Sequence, residues 1–253
     1  MRSAPLRPSR GPSKSPSLGL PSGLGAGRRG ALVGAVAPAL ALTAVLTSCS
    51  EDEPGPDGGG GPVSAQCDYT ANDDPVVAGV GIPAADVSLA PEYRATVATN
   101  RGDIVLDLDA SLAPCTVNAF VLLADSGAFD DTPCAKLTSE RSGGRFLECG
   151  DPTGDGAGSA GFDVPLENTG TDPYRAGQVV AAPGSAGSLS RFRLLYDDST
   201  LGGAYTRLGS VVAGQSLIDT IADAGVAEQG AQVAIEGPPS LRVVIESVTV
   251  EEA

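Results

Sequence analysis

The chain has 253 residues, a formal net charge of −15, no histidine, no tryptophan and few aromatics. The missing histidine excludes Ser-His-Asp and Cys-His catalysis and histidine-ligated zinc. The acidity excludes nucleic acid as a partner, because such a surface repels phosphate backbones and anionic head groups alike.

Residues 1–48 read as a secretory leader. Six basic residues (Arg2, Arg7, Arg10, Lys14, Arg28, Arg29) and no acid precede or flank an apolar run from Gly30 to Leu46. The run is about 17 residues, short for a membrane span, and Pro38 disfavours a stable helix there. Leu46-Thr47-Ser48-Cys49 resembles the bacterial lipobox, which implies cleavage before Cys49 and a diacylglycerol on its sulfur. An ordinary signal peptide and an uncut anchor are the alternative readings. The reading adopted is an exported chain on the outer face of the cell membrane, held there through a lipid anchor only. Arg28-Arg29 raises twin-arginine export in a poor motif, and the long basic region leaves a start codon downstream of Met1 open. Residues 1–48 hold six of the 16 basic residues and none of the 31 acids, so the remainder carries ten basic residues against 31 acidic ones, a net charge of −21.

Residues 49–90 read as a lipid-anchored, flexible, acidic Gly/Pro-rich tether. Ser50 to Gly61 cannot bury a core. Pro62 to Ala90 is transitional, with Cys67-Asp68-Tyr69 as a docking point. Residues 91–253 are the expected folded domain. The four cysteines after Cys49 allow three pairings, and an even number in an exported chain reads as two disulfides. Cys134–Cys149 would flank a hairpin, and Cys67–Cys115 would staple the N-terminal segment to the domain; that pairing is favoured.

Within the domain, Tyr93 to Thr99 alternates as a strand, Asn100 to Asp103 turns about Arg101-Gly102, and Ile104 to Leu108 returns. Ala113-Pro114 opens a helix over Cys115 to Ser126, with Val117, Phe120, Val121 and Ala124 at helical spacing and Gly127 beyond its end. Leu194 to Tyr196 and Leu208 to Val212 read as strands, and Ser216 to Ala224 as a second helix with Leu217, Ile218 and Ile221 inward. Val233 to Ile235 and Leu241 to Val250 supply the last strands, separated by Gly237-Pro238-Pro239. The fold class is mainly β, and the order suits a closed barrel capped by two helices; periodicity alone does not choose a barrel over a sandwich.

Several motifs carry no chemistry. Gly156 to Gly161 satisfies GxGxxG, but no helix follows it, so a structural loop is expected and no cofactor. Asp151 to Gly156 lacks the alternating acids of a calcium loop and reads as turn chemistry, so no metal is expected. Asp73-Asp74 and Asp197-Asp198 read as solvated turns, and no serine lies in GxSxG.

From Tyr93 to Val250 the chain resembles the cyclophilin-type peptidyl-prolyl cis-trans isomerases, and is most similar to their exported actinobacterial branch. The resemblance rests on Ala95 to Leu106, on Ala113-Pro114-Cys115-Thr116-Val117-Asn118-Ala119-Phe120, on Gly127 to Thr132, above all on Cys149-Gly150-Asp151-Pro152-Thr153-Gly154, and on Tyr196 to Leu201 and Tyr205 to Gly209. It implies a cyclophilin-like barrel and rotation about X-Pro bonds, whose barrier is about 20 kcal/mol. That reaction needs an apolar pocket and a donor near the imide rather than an acid–base pair.

The resemblance also locates departures. Lys136 stands for the family arginine and is the only candidate catalytic cation; lysine offers a point charge, not a planar fork. An aromatic position is Arg145, the family glutamine is Glu148, and the Ala-Asn pair falls on Ala181-Ala182-Pro183. The Ser-Gln-Phe-Phe strand reads Ser190-Arg191-Phe192-Arg193. Phe146, Glu148, Ala182, Arg191, Arg193, Leu201 and Tyr205 are the substrate-binding positions so implied. Lys136, Arg145, Arg191, Arg193 and Glu148 are expected in one concavity, and two readings stay open: a basic patch for an acidic peptide or anion, or mutual neutralisation with Glu148, Glu140 and nearby Asp residues. The expected function is isomerisation of exported proteins or other proline-containing peptides, weakened by these changes. The rivals are a non-catalytic peptide- or protein-binding lipoprotein of the cell envelope and a purely structural one.

Overall fold

A computed structural model describes residues 63–253 except 74–76, 78, 90, 156–157, 170–172, 184–188, 203–204 and 229–233. The leader, Cys49, the tether up to residue 62, Asp74, Gly156-Ala157 and Val233 therefore lie outside the described residues.

The strands in chain order are β1 Ser64–Gln66, β2 Thr70–Ala71, β3 Asp86–Ser88, β4 Tyr93–Thr99, β5 Gly102–Leu108, β6 Lys136–Thr138, β7 Phe146–Cys149, β8 Phe162–Asp163, β9 Gln178–Pro183, β10 Leu189–Leu195, β11 Arg207–Ala213, β12 Glu236–Gly237 and β13 Ile245–Glu252. The two helices are α1 Pro114–Asp125 and α2 Gln215–Asp223. Nine strands form one sheet in the order β12-β6-β7-β10-β9-β11-β5-β4-β13, and all its pairings are antiparallel. The sheet curls until residues 132–134, just ahead of β6, meet the start of β13. The Cys134 N–H donates to Val243 O (3.0 Å), the Ile245 N–H donates to Thr132 O (2.8 Å), and Pro133 bridges Val244. The mainly β architecture with two helices is as expected. The last two strand expectations shift: β12 is two residues long and begins after Ile235, and β13 begins at Ile245.

The first hairpin pairs Thr99 with Gly102, so its loop is Asn100-Arg101 rather than Arg101-Gly102. Thr99 fixes it from the side: its Oγ1 donates to Gly102 O (2.6 Å) and accepts from the Arg101 N–H (3.1 Å). Alternation sorts the sheet. Leu147, Phe192 and Leu194 point into the barrel core, whereas Phe146, Val180 and Leu195 form a separate outer cluster with Tyr174. Inside, Phe120 of α1 meets Phe129 and Phe192 with ring centroids 5.0 and 5.5 Å apart. These contacts fix the helix to the barrel, since aromatic rings bury the largest apolar areas.

Helix α1 lacks a local side-chain cap. The Glu167 carboxylate supplies one from elsewhere in the chain, accepting the Cys115 N–H (3.0 Å), the Thr116 N–H (2.8 Å) and the Thr116 hydroxyl (2.6 Å). An anion there satisfies free N–H groups and the helix dipole together. At the other end Gly127 adopts φ 70°, and Ala128 donates back to Leu123 O, a closure that glycine makes without strain.

Packed structure starts before Pro91. β1 pairs with β3, Cys67 and Val87 are buried in the main core, and the Cys67–Cys115 disulfide ties this segment to α1. The Tyr69 hydroxyl donates to Cys115 O (2.7 Å) and accepts from Asn118 Nδ2 (3.0 Å). The docking point is as expected, but a boundary at residue 91 is too late, because three short strands, β1, β2 and β3, and the Cys67 disulfide anchor precede it. Among the described residues no helix is long and apolar enough to cross a membrane.

Candidate functional site

The β6–β7 hairpin brings the first site residues into register. Its ends are tied by the Cys134–Cys149 disulfide, so both favoured cysteine pairs form. Thr138 locks Phe146 in place: its Oγ1 accepts the Phe146 N–H (2.9 Å) and donates to Phe146 O (3.3 Å). Behind the strand, Gly150 turns the chain at φ 90°; a Cβ there would sit 2.9 Å from the Phe129 ring, so the turn and the core demand the same residue.

Directly opposed residues on neighbouring antiparallel strands share a face. Lys136 opposes Glu148, Glu148 opposes Arg193, Arg193 opposes Val180, and Val180 opposes Arg207. One row on the outside of the barrel therefore carries Lys136, Glu148, Arg193, Val180 and Arg207. Arg191, two residues from Arg193, opposes the fully buried Ala182.

Glu148 is the centre of this face. Its side chain is 3% exposed and accepts from two arginines, Arg191 Nη1 at 3.0 Å and Arg193 Nε at 2.7 Å. Those arginine side chains are 10% and 13% exposed. The Arg193 guanidinium also lies over Phe146, 4.1 Å from the ring centroid, and over Tyr205, at 4.7 Å. Leu201 and Tyr205 pack against Phe146 in the same cluster. Tyr205 is held from behind, since the Tyr174 hydroxyl donates to its carbonyl oxygen (3.0 Å). A guanidinium satisfies such a site because its plane stacks on rings while its edge meets a carboxylate.

The structure thus brings Phe146, Glu148, Ala182, Arg191, Arg193, Leu201 and Tyr205 to one face. It separates Arg145 from them. That side chain pairs with Asp197 and lines a recess with Glu140, Tyr196 and Asp197 beside α2. Lys136 stands in the row, but its ammonium pairs with Glu236 on β12 at 3.6 Å and its side chain is 36% exposed. Of the two open readings of the charges, neutralisation fits the four cations with one partner changed: Arg191 and Arg193 share Glu148, Arg145 holds Asp197, and Lys136 is held by Glu236, while Glu140 pairs with none of them. Neither Asp197 nor Glu236 is close in sequence to its cation, so no local spacing announces these pairs.

Asp151 serves its turn, as expected from the sequence. Its carboxylate accepts the N–H groups of Thr153 (3.3 Å) and Gly158 (3.0 Å) and the Thr153 hydroxyl. Among the described residues no cluster of acids or cysteines has the arrangement of a metal site.

One residue escaped the sequence reading. Arg207 ends the row, half-buried, and its Nε is buried without an acceptor. An unsatisfied buried donor costs about 1–3 kcal/mol. Arg207 lines a cleft of about 540 Å³ over β4, β5, β9 and β11, together with Arg94, Asp107, Asp109, Gln178 and Ser210. Its flanking text reads only as a strand, so nothing local marks it.

A family profile described as "Cyclophilin type peptidyl-prolyl cis-trans isomerase/CLD" matches residues 94–250. The probable peptidyl-prolyl cis-trans isomerase B of Mycobacterium tuberculosis is 35% identical over 206 residues, covering 75% of this chain and 65% of the relative. Its Mycobacterium leprae counterpart is 37% identical, covering 62% of this chain and 56% of the relative. The chain therefore spans less than two thirds of those two proteins. Peptidyl-prolyl cis-trans isomerase B of Streptomyces anulatus is 32% identical, covering 64% of this chain and 99% of the relative. A crystal structure of a Cryptosporidium parvum cyclophilin-type peptidyl-prolyl cis-trans isomerase, determined in the presence of the dipeptide Ala-Pro, is 22% identical and aligns with a TM-score of 0.47 over 63% of this chain and 99% of that one.

Proposed function

The chain belongs to the cyclophilin-type peptidyl-prolyl cis-trans isomerase family, and from that premise we propose that it isomerises X-Pro bonds of exported proteins with weakened activity. The observation that carries this reading is the Arg193 guanidinium lying on Phe146 and Tyr205 while bonded to Glu148.

The chemistry needs an apolar wall for the proline ring and a cation that favours the twisted imide over the planar one. Phe146, Leu201 and Tyr205 supply the wall. The Arg193 side chain occupies the part of it between those rings and Glu148, so a proline ring must share or displace it. Displacement means unstacking a guanidinium and parting a buried ion pair, which raises the free energy of the bound state. Lys136 is the flexible cation on this face, and leaving Glu236 for a substrate is a small step for an exposed pair. Both features support catalysis slower than at a site with an open pocket and a fixed arginine.

Export and anchoring are proposed from the leader, the apolar run and Cys49. Two disulfides fit that oxidising setting. The mycobacterial and streptomycete relatives support placing the chain in an actinobacterial branch.

Exchange NMR on the disulfide-intact protein mixed with blocked Ala-Pro peptides tests the reading. Enhanced cis/trans exchange that falls in Lys136→Ala supports it. No enhancement from a folded protein overturns it in favour of a non-catalytic binding module.

A further inference from the structure

Ten lysine and arginine residues fall within the described part of the chain. Six of them, Arg94, Lys136, Arg145, Arg175, Arg191 and Arg193, have carboxylate partners. Of the remaining four, Arg101, Arg141 and Arg242 are exposed to water. Arg207 alone among the described residues is both partly buried and without a carboxylate. In a chain with 31 acids and 16 bases, a half-buried cation left over in this way is a departure from the surrounding charge pattern.

The cleft is lined by three acids, Glu92, Asp107 and Asp109, and none of them forms an ion pair with Arg207. Asp107 is taken by Arg94 at 2.8 Å. Asp109 accepts the Ser111 hydroxyl (2.6 Å) and the Leu112 N–H (3.0 Å). The backbone of Arg207 is fixed on both sides by Asn168, whose Oδ1 accepts the Arg207 N–H and whose Nδ2 donates to Arg207 O, each at 3.0 Å. A rigid strand thus presents a guanidinium with spare donors to a cleft of about 540 Å³.

We propose that this cleft binds a carboxylate side chain of the substrate peptide, so that the chain selects proline segments carrying an acidic residue nearby. The proposal rests on the isomerase reading above. Arg207 lies in the same cross-strand row as Arg193, with Val180 between them. Two strand spacings separate their backbones, about 10 Å, which three extended residues span. A peptide with its proline against Phe146 and Tyr205 therefore reaches Arg207 with a residue two to four positions away. Planar two-point pairing favours a carboxylate as the partner of the guanidinium.

The test uses the disulfide-intact protein and blocked Ala-Pro peptides in which one glutamate is moved residue by residue along either side of the proline, each with a glutamine twin. Binding is followed by amide shifts of the protein, and exchange by peptide NMR. One glutamate position should bind roughly tenfold tighter than its twin, the scale of one charge-assisted hydrogen bond. Arg207→Gln should equalise the twins, and Arg207→Lys should restore part of the difference. Twins that bind equally at every position, with exchange still catalysed, overturn the proposal and leave the isomerase reading standing. The absence of both binding and exchange for every peptide overturns the reading and the proposal with it.

Discussion

Arg193 rests its guanidinium 4.1 Å from the centre of the Phe146 ring, and the same side chain holds Glu148. A charged group thereby occupies apolar wall that a proline ring requires. Replacing it with an apolar ring should free the wall, and Arg191 still neutralises Glu148. Arg193→Phe is expected to raise the cis/trans exchange rate of an Ala-Pro peptide roughly thirtyfold, since a desolvated cation–π contact is worth about 2 kcal/mol. Exchange spectroscopy at equal protein concentration checks it; an unchanged or lower rate would sink the account of weakened activity.

Glu148 matters more for stability than either arginine it holds. Glu148→Ala leaves two mostly buried guanidiniums without their carboxylate, a change that costs about 3–5 kcal/mol. The urea midpoint should fall accordingly. Glu148→Gln should lose less, because an amide oxygen can still accept from one of them.

The Arg145–Asp197 pair gives the contrast. Its side chains are 34% and 51% exposed, so water already solvates much of both. Asp197→Asn should change stability by less than about 1 kcal/mol, and raising salt should shrink even that. A larger loss in thermal melting would show that the recess beside α2 is more tightly built than its exposure implies.

Burial, ahead of all other influences, pushes the Tyr69 hydroxyl up to about 12, with Asn118 opposing and Glu167 assisting. The fold therefore favours the neutral phenol. The associated stability is full below the ordinary tyrosine value of about 10 and is lost as pH rises from there towards 12. Denaturation followed across that window should show a decline that is shallower in Tyr69→Phe. Equal slopes in the two proteins would refute the assignment.

Breaking the Cys67–Cys115 link should act locally. It closes a 48-residue separation, and removing such a bridge costs about 2–5 kcal/mol. With both cysteines changed to alanine, backbone amides of β1 and β3 should exchange with deuterium sooner than those of β10, whose pairing does not depend on the bridge.

Much of this fold is legible in the sequence where local rules decide. Tyr93–Thr99 alternates and ends at a threonine that ties its own turn. The spacing of Val117, Phe120 and Ala124 announces α1, and Gly127 marks where it stops. The outer face is legible only through the family resemblance, which names Phe146, Glu148, Arg191 and Arg193 without saying how the three charges share a small space. Their pairing depends on which strands lie side by side. The hand-over of Lys136 to Glu236 joins residues 100 positions apart through β12, a two-residue strand with no periodicity to read. Glu167 capping α1 and Asn168 bracketing Arg207 are long-range in the same way. Loop residues that serve distant backbone groups leave no pattern in their own neighbourhood.

The closing seam has a consequence for how the molecule comes into being. β4, the first strand of the large sheet, waits for β13, the last, and residues 132–134 wait for 243–245. A nascent chain that stops short of Val243 has two open strand edges and no way to satisfy them internally. The barrel can therefore close only once residues 243–252 have joined it, so pairing between the strands most distant in sequence should limit the rate of refolding.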